Sequence, residues 1–112
     1  MLNQSPSLDR VFHALADPTR LALVERLGRG AAPVSALAEP LAMSLPAVLQ
    51  HLNVLEGAGL VRSEKRGRVR TCALQTEALD RLDAWLAAQR SEWEQRLDRL
   101  TAYLDALGDA DA

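Results

Sequence analysis

The chain has 112 residues, which is enough for one modest hydrophobic core and too few for two. Hydrophobic residues make up 48% and charged residues 25%, which argues against a disordered chain, and no apolar run approaches the roughly 20 residues that span a membrane. The net charge of −2 excludes a generally basic protein, but residues 62–70 carry five bases and one acid. Such a run is either a local phosphate-binding patch or an ordinary solvated hairpin.

The N-terminal sequence, MLNQSPSLDR, lacks a basic segment followed by an apolar stretch, so we expect no secretory signal. The chain has a single cysteine, Cys72, which cannot form a disulfide within the chain. Both features predict a cytoplasmic protein.

Two short helices are predicted at the start of the chain. Apolar residues spaced at i, i+3, i+4 and i+7 predict an amphipathic helix over residues 8–15. Asp17 and Pro18 predict the start of a second helix, because aspartate is a good N-cap and proline fits the first helical position. Gly28 and Gly30 are expected to end it.

Two more helices follow. Ser35 is expected to cap a third helix over residues 36–42, which Pro40 interrupts late. Ser44 is expected to cap a fourth helix that ends at about Gly57, with Pro46 tolerated in the first turn, where its missing N–H has no helical partner.

The fourth helix has two distinct sides. The side expected to face the core carries Val48, Leu52 and Leu55. The opposite side carries Pro46, Gln50 and Asn53, with Leu49 at its edge. Glutamine and asparagine can pair bidentately with adenine in the major groove, and apolar side chains such as Leu45 and Leu49 can meet thymine methyl groups. The alternative is that Gln50 and Asn53 are ordinary surface residues.

A β-hairpin with a basic tip is predicted next. Residues 60–65 and 69–74 have the composition of strands, and Arg66–Arg68 forms the turn between them. The cations of the hairpin are Arg62, Lys65, Arg66, Arg68 and Arg70. Arg66 and Arg68 are best placed to contact phosphates or enter a minor groove, while Cys72 and Leu74 should share the inward face.

Residues 76–107 contain neither proline nor glycine and predict a long helix, or two successive helices. Unbroken, it would be roughly 48 Å long, more than a domain of some seventy residues can cover. Its apolar stripe therefore needs a partner, and a second copy of the chain is the simplest. That stripe includes Trp93, Leu97, Leu100, Leu104 and Leu107.

Enzyme chemistry finds little support in the sequence. The chain lacks HExxH, CxxC, a glycine-rich phosphate loop and a nucleophile elbow. His13 and His51 are expected to be packing residues, and Cys72 an inert buried thiol, with a redox role as the less favoured alternative. We therefore predict no catalytic residue, no cofactor and no metal site.

The order of the elements predicts a mainly α (α+β) winged helix-turn-helix with a two-stranded β-wing and a long C-terminal dimerisation helix. We expect a single domain over residues 1–112. It divides into a DNA-binding core over 8–75, the dimerisation helix or helices over 76–107, and a frayed tail over 108–112.

Three segments resemble the ArsR (arsenic-repressor-like) family of bacterial regulators, a resemblance that covers about residues 8–107. They are Ala14-Leu-Ala-Asp-Pro-Thr-Arg-Leu21, Ser44-Leu-Pro-Ala-Val-Leu-Gln-His-Leu52 and Leu55-Glu-Gly-Ala-Gly-Leu-Val61. The resemblance implies a dimeric repressor on an inverted-repeat operator. In that arrangement the first and last helices form the dimer interface, the fourth helix reads the major groove and the wing touches flanking DNA.

The predicted sites follow from these assignments. The DNA-binding candidates are Ser44, Leu45, Pro46, Leu49, Gln50, Asn53, Arg62, Lys65, Arg66 and Arg68. The dimer-interface candidates are Leu8, Val11, Phe12, Trp93, Leu97, Leu100, Leu104 and Leu107. The expected partners are a palindromic double-stranded DNA operator and a second copy of the chain, with no membrane.

The sequence departs from the family pattern in two respects. Many members have Ser-Gln-Pro-Ala-Val-Ser-Arg-His through the fourth helix, whereas Leu45, Leu49 and Gln50 replace three of these residues here, so no base preference carries over. Metal-sensing members have cysteines in the third helix or Asp, His and Glu ligands in the last, and this chain lacks thiols in the one and histidine in the other. The sequence therefore resembles the non-metal-sensing branch, with an unknown small-molecule effector left open. The alternative function is a winged-helix protein-interaction module without sequence-specific DNA binding.

Overall fold

The computed structural model describes residues 7–111, with side chains described for residues 7–109. The expectation that a secretory signal is absent rests largely on residues 1–6, which lie outside the described residues, as does Ala112 of the predicted tail.

The elements within the described residues follow the order of a winged helix-turn-helix, which confirms the predicted fold class. They are α1 (Leu8–Leu15), α2 (Pro18–Leu27), β1 (Ala32–Pro33), α3 (Val34–Ala38), α4 (Leu45–Gly57), β2 (Val61–Arg66), β3 (Val69–Leu74) and α5 (Glu77–Asp111). The chain divides into two compact units, the first ending at Arg81 and the second beginning at Leu82.

Both predicted helix caps at α2 and α4 are confirmed. The Asp17 carboxylate accepts a hydrogen bond from the backbone N–H of Arg20 at 3.0 Å, with Pro18 as the first helical residue. The Ser44 hydroxyl accepts from the backbone N–H of Ala47 at 3.3 Å. Each cap satisfies a donor that has no partner inside its helix, which fixes where α2 and α4 begin.

Helix α4 ends in a glycine-dependent turn. Gly59 has a φ of +76°, its N–H donates to the carbonyl of Glu56, and the N–H of Leu60 donates to the carbonyl of Leu55. These two bonds form a Schellman motif, which requires the left-handed conformation that glycine adopts without strain. The motif directs the chain from α4 into β2.

The predicted third helix is wrong in its bounds. We expected Ser35 to cap a helix over residues 36–42, but α3 begins at Val34 directly after Pro33 and ends at Ala38. Pro33 belongs to β1, where it pairs with Thr71 of β3 while Ala32 pairs with Cys72. The helix therefore begins where this pairing ends, and Val34 and Leu37 are buried on its inner side.

Over residues 7–111 the sheet has three strands in the order β1-β3-β2, so the predicted two-stranded wing gains a short third strand. Strands β2 and β3 pair antiparallel from Val61 with Leu74 to Arg66 with Val69. The two-residue connection begins with Gly67 at a φ of +63°, the sign that a type II′ turn requires at its first central residue. The predicted hairpin is confirmed, with its turn at residues 67–68.

The core lies among α1, α2, α3, α4 and the base of the sheet. Its largest fully buried side chains are Val11, Leu37, Val48, Leu52, Leu55, Leu60, Val61 and Cys72. The predicted core-facing side of α4 is thereby confirmed. Val11 corrects our interface prediction, because a side chain with no exposed surface in a single chain has none to offer a partner, whereas Leu8 and Phe12 keep theirs.

Helix α5 is one continuous helix. Of the two arrangements that the sequence left open, one helix or two successive helices, the first is therefore correct. It extends through Gly108 to Asp111, so the helix does not end at Leu107 as predicted. Every side chain from Ser91 to Asp109 is exposed. No helix of the described residues is both long and apolar enough to cross a membrane.

Candidate DNA-binding surface

One side of α4 presents the side chains that the sequence predicted for DNA contact. Leu49 is half-buried, and the exposed members of this set are Ser44, Leu45, Pro46, Gln50 and Asn53. Since Val48, Leu52 and Leu55 hold the opposite side in the core, the polar side is fixed toward solvent.

The wing and α4 line one concave surface of about 430 Å³. Its walls come from the start of α3, from the first turns of α4 and from the tip of the hairpin. The lining residues are Pro33, Val34, Ser35, Leu45, Leu49, Lys65, Arg68, Val69 and Arg70. The structure thus brings together Leu45, Leu49, Lys65 and Arg68, four of the predicted contact residues.

The cations of the wing differ in how they are engaged. Arg66 donates to the Glu64 carboxylate at 3.2 Å, but both side chains are largely exposed, so this pair contributes little to stability. Arg62, Lys65 and Arg68 are exposed and form no ion pair among residues 7–109. All three are available to phosphates, but Lys65 and Arg68 line the concave surface beside α4, whereas Arg62 lines a separate depression of the wing with Glu64 and Thr71.

The sequence places Arg70 among the cations of the hairpin, but in the structure this cation is already paired. Its Nη2 donates to Oε2 of Glu56 at 2.8 Å and to Oδ1 of Asn53 at 3.4 Å, and its Nε donates to the Ser63 hydroxyl at 3.0 Å. The Ser63 hydroxyl donates in turn to the other oxygen of Glu56. We call Arg70, Glu56, Ser63 and Asn53 the Arg70 cluster; it joins both strands of the wing to α4.

One signal in the sequence could have identified this role. Arg70 lies two residues before Cys72 on β3 and so shares its inward face, because alternate residues of a strand point to the same side. Glu56 follows Asn53 by three residues on α4 and so lies beside it on the helix surface.

Comparison with known proteins places the chain in a family. A helix-turn-helix domain model matches residues 15–64. The HTH-type transcriptional regulator Rv2034 of Mycobacterium tuberculosis is 40% identical over 107 residues, which cover 92% of this chain and 94% of that protein. The chain belongs to the ArsR family of transcriptional regulators.

Solved structures and a second relative agree with this assignment. The crystal structure of the ArsR family transcriptional regulator RHA00566 matches with a TM-score of 0.75 and 50% identity over 78% of this chain and 90% of that one. An ArsR-like regulator from Rhodococcus sp. RHA1 matches with a TM-score of 0.73 and 36% identity over 83% and 88%. The transcriptional repressor SdpR of Bacillus subtilis is 29% identical over 79 residues, 70% of this chain and 88% of SdpR. The predicted resemblance is confirmed, and the chain is a DNA-binding transcriptional regulator.

In this ArsR-family regulator, the Asp-Pro-Thr-Arg segment that carried the resemblance has a structural role. Arg20 donates through Nε to the carbonyl of Ala14 at 2.6 Å and through Nη2 to that of His13 at 3.2 Å, both at the end of α1. Its Nη1 contacts Nδ1 of His51 on α4 at 3.2 Å. Because a guanidinium can only donate, Arg20 is the donor in any hydrogen bond at this contact. We call Arg20, Asp17 and His51 the Arg20 cluster.

The Arg20 cluster also accounts for the electrostatics of Asp17. The backbone N–H of Arg20 donates to the Asp17 carboxylate and, with the positive charge of Arg20, lowers the pKa of Asp17 from its ordinary 3.8. His51 Nδ1 lies 3.9 Å from the same carboxylate. The prediction that His51 is a hydrogen-bonded packing residue of this regulator is confirmed.

The remaining candidate chemistry is limited. Burial raises the pKa of the Cys72 thiol, with Arg70 opposing the shift and Glu56 adding to it, so the reactive thiolate is disfavoured. Within residues 7–109, no group of three or more His, Cys, Asp or Glu side chains is placed to hold a metal ion. The relatives of this chain are transcriptional regulators, a class that is typically without catalytic activity.

Proposed function

We propose that this regulator is a homodimeric, cytoplasmic repressor that binds an inverted-repeat operator through α4 and the wing. The observation that carries the proposal is one concave surface lined by Leu45 and Leu49 of α4 and by Lys65 and Arg68 of the wing, next to the exposed Gln50 and Asn53 on the same helix. Gln50 and Asn53 can read base edges, while Arg62, Lys65 and Arg68 can contact phosphates. Ser44 and Pro46 fix the N-terminus of the reading helix.

The proposed dimer rests on the apolar side chains of α5. Trp93 is 47% exposed and Leu97 is 59% exposed, and Leu100, Leu104 and Leu107 are similarly open. A helix whose leucines recur every three or four residues stabilises itself by packing that stripe against another helix, and closed pairs of identical chains are the commonest solution. On α1, Leu8 and Phe12 stay candidates for the same role.

The assignment as a repressor takes support from SdpR, which is named as a transcriptional repressor. A dimer that covers a promoter blocks transcription without a catalytic step. Two α4 helices related by twofold symmetry would enter major grooves about one helical turn apart, so the half-sites should be centred roughly 10 base pairs apart or a multiple of that distance.

A salt titration tests the DNA-binding surface. Arg68→Ala should weaken binding to operator and scrambled duplex alike, and should reduce the slope of log K against log salt by about one unit for each phosphate that the arginine no longer neutralises. Gln50→Ala should cost about 1–3 kcal/mol on the operator and little on scrambled DNA. Arg90→Ala, which removes an exposed arginine of α5, is the charge-matched control.

The titration also separates the two candidate functions. An equal decrease in affinity for both duplexes with Gln50→Ala would remove α4 as the reader. If wild type prefers no duplex over another, the protein-interaction module becomes the better description.

The oligomeric state is tested independently by light scattering. Leu97→Glu with Leu100→Glu should convert a dimer to monomers, because two carboxylates would then have to be buried between the helices. A wild-type mass of one chain, 12.2 kDa, at micromolar concentration would contradict the proposed dimer.

A further inference from the structure

The proposed DNA-binding surface includes exposed apolar side chains that have no role in the polar contacts with bases and phosphates. Leu45 is 52% exposed and Val69 is 53% exposed, although both are large apolar side chains. They line the same concave surface, together with the half-buried Leu49. Leu45 and Leu49 come from α4 and Val69 from the tip of the wing, so two separate elements contribute to one apolar patch.

Cations border this apolar patch. Lys65 and Arg68 line the same concave surface, and neither forms an ion pair within residues 7–109. A partner that fits must therefore offer apolar groups beside negative charge. The edge of a DNA major groove does so wherever the C5-methyl group of a thymine lies near the phosphate backbone.

We propose that Leu45, Leu49 and Val69 read thymine methyl groups, so that each operator half-site contains thymine at the positions facing them. This proposal rests on the proposed function. Thymine is the one base whose major-groove edge carries an apolar group. Against the other bases, the leucines would cover hydrogen-bonding edges without replacing their bonds to water, which costs free energy.

The helix spacing sets how far apart these thymines lie. Leu45 and Leu49 are four residues apart, which corresponds to about 6 Å along an α-helix. Two base-pair steps correspond to about 6.8 Å of duplex. The two leucines therefore contact methyl groups that are no more than two base-pair steps apart within a half-site.

The test removes single methyl groups from the DNA. The operator is first selected from random duplexes with the full wild-type chain, and each half-site thymine is then replaced by deoxyuridine, which lacks only the C5-methyl group. At one or two positions per half-site, affinity should fall about fourfold for each methyl group removed, which corresponds to roughly 0.8 kcal/mol.

Protein variants separate direct contact from a change in DNA shape. Leu45→Ser and Leu49→Ser should each abolish discrimination between thymine and deoxyuridine at one position, whereas Arg90→Ala on α5, outside the proposed surface, should keep it. Leu45 is exposed in the first turn of α4, so Leu45→Ser carries the test even if Leu49→Ser fails to fold.

Three outcomes would overturn the proposal. The first is an operator without thymine in its half-sites. The second is an affinity for every deoxyuridine duplex equal to that for the thymine operator. In both cases, sequence-specific binding and the proposed function would stand. The third is a deoxyuridine effect that Leu45→Ser and Leu49→Ser leave unchanged. Absence of any sequence preference in the selection would instead remove the proposed function itself.

Discussion

Two half-buried arginines, each in a hydrogen-bonded cluster, join different parts of the molecule. Arg20 joins the end of α1, the start of α2 and α4, and two of its acceptors are backbone carbonyls. Arg70 joins the wing to α4, and all its side-chain hydrogen bonds are to other side chains. A backbone carbonyl remains when its residue is substituted, whereas a side-chain acceptor can be removed by substitution. We infer that Arg20 serves the fold and that Arg70 serves the geometry of DNA reading.

Arg20→Ala should produce the largest effect, because it removes donors to three partners: the Ala14 carbonyl loses its 2.6 Å hydrogen bond, while the His13 carbonyl keeps the one from the backbone N–H of Ala16. We expect the free energy of unfolding to fall by about 2–4 kcal/mol, measured by urea denaturation. The ratio of operator to scrambled-DNA affinity of the folded protein should stay constant.

The matched control for this change is Arg26→Ala on the same helix. Among residues 7–109, Arg26 donates to the carbonyl of Gly30 in one exposed hydrogen bond at 3.3 Å, so the decrease in stability should be within about 0.5 kcal/mol. Equal decreases for the two variants would contradict the role assigned to Arg20.

Arg70→Ala should have an intermediate effect on stability and a specific effect on DNA binding. The Arg70 and Glu56 side chains are 29% and 27% exposed, so removing the cation should cost about 1–2 kcal/mol, between the values for exposed and buried pairs. Because the Asn53 side chain would no longer be held by Arg70, operator affinity should fall more than affinity for scrambled DNA.

A double-mutant cycle sharpens this second expectation. If the ion pair accounts for the decrease in stability, Arg70→Ala combined with Glu56→Ala should destabilise less than the sum of the single changes. Additive effects on stability, or equal decreases in affinity for both duplexes, would contradict the role assigned to Arg70 and leave it an ordinary cation of the wing.

Asp17→Asn should have the smallest effect, and that effect should depend on pH. Asparagine caps a helix about as well as aspartate but carries no charge. Because the pKa of Asp17 is lowered from 3.8 in the folded chain, its ionisation stabilises the fold fully above that value, and this contribution is lost as pH falls through the folded pKa. The difference in urea midpoint between wild type and variant should therefore shrink from neutral pH to about pH 3. A difference that does not change with pH would mean that the cap geometry alone matters.

The comparison also explains which features could be predicted from the sequence. The caps at Asp17 and Ser44, the two sides of α4 and the hairpin depend on neighbours within a few residues, and all were predicted. Arg70 contacts Glu56 across 14 positions and Arg20 contacts His51 across 31. Strand alternation indicates which face Arg70 lies on, but no local pattern identifies the distant partner of either arginine. The bounds of α3 were missed for the same reason, because β1 pairs with the distant β3.

The charged side chains of β2 also affect how this strand associates with other chains, because of its place in the sheet. In the order β1-β3-β2, strand β2 is an outer strand along its whole length, with backbone groups on one side that another chain could pair with. Four of its six residues are charged: Arg62, Glu64, Lys65 and Arg66. Charged side chains on an outer strand oppose edge-to-edge association, because pairing would bring like charges together and strip them of water. Arg62 and Lys65, two of the side chains that we propose for phosphate contact, therefore also help to prevent aggregation through β2.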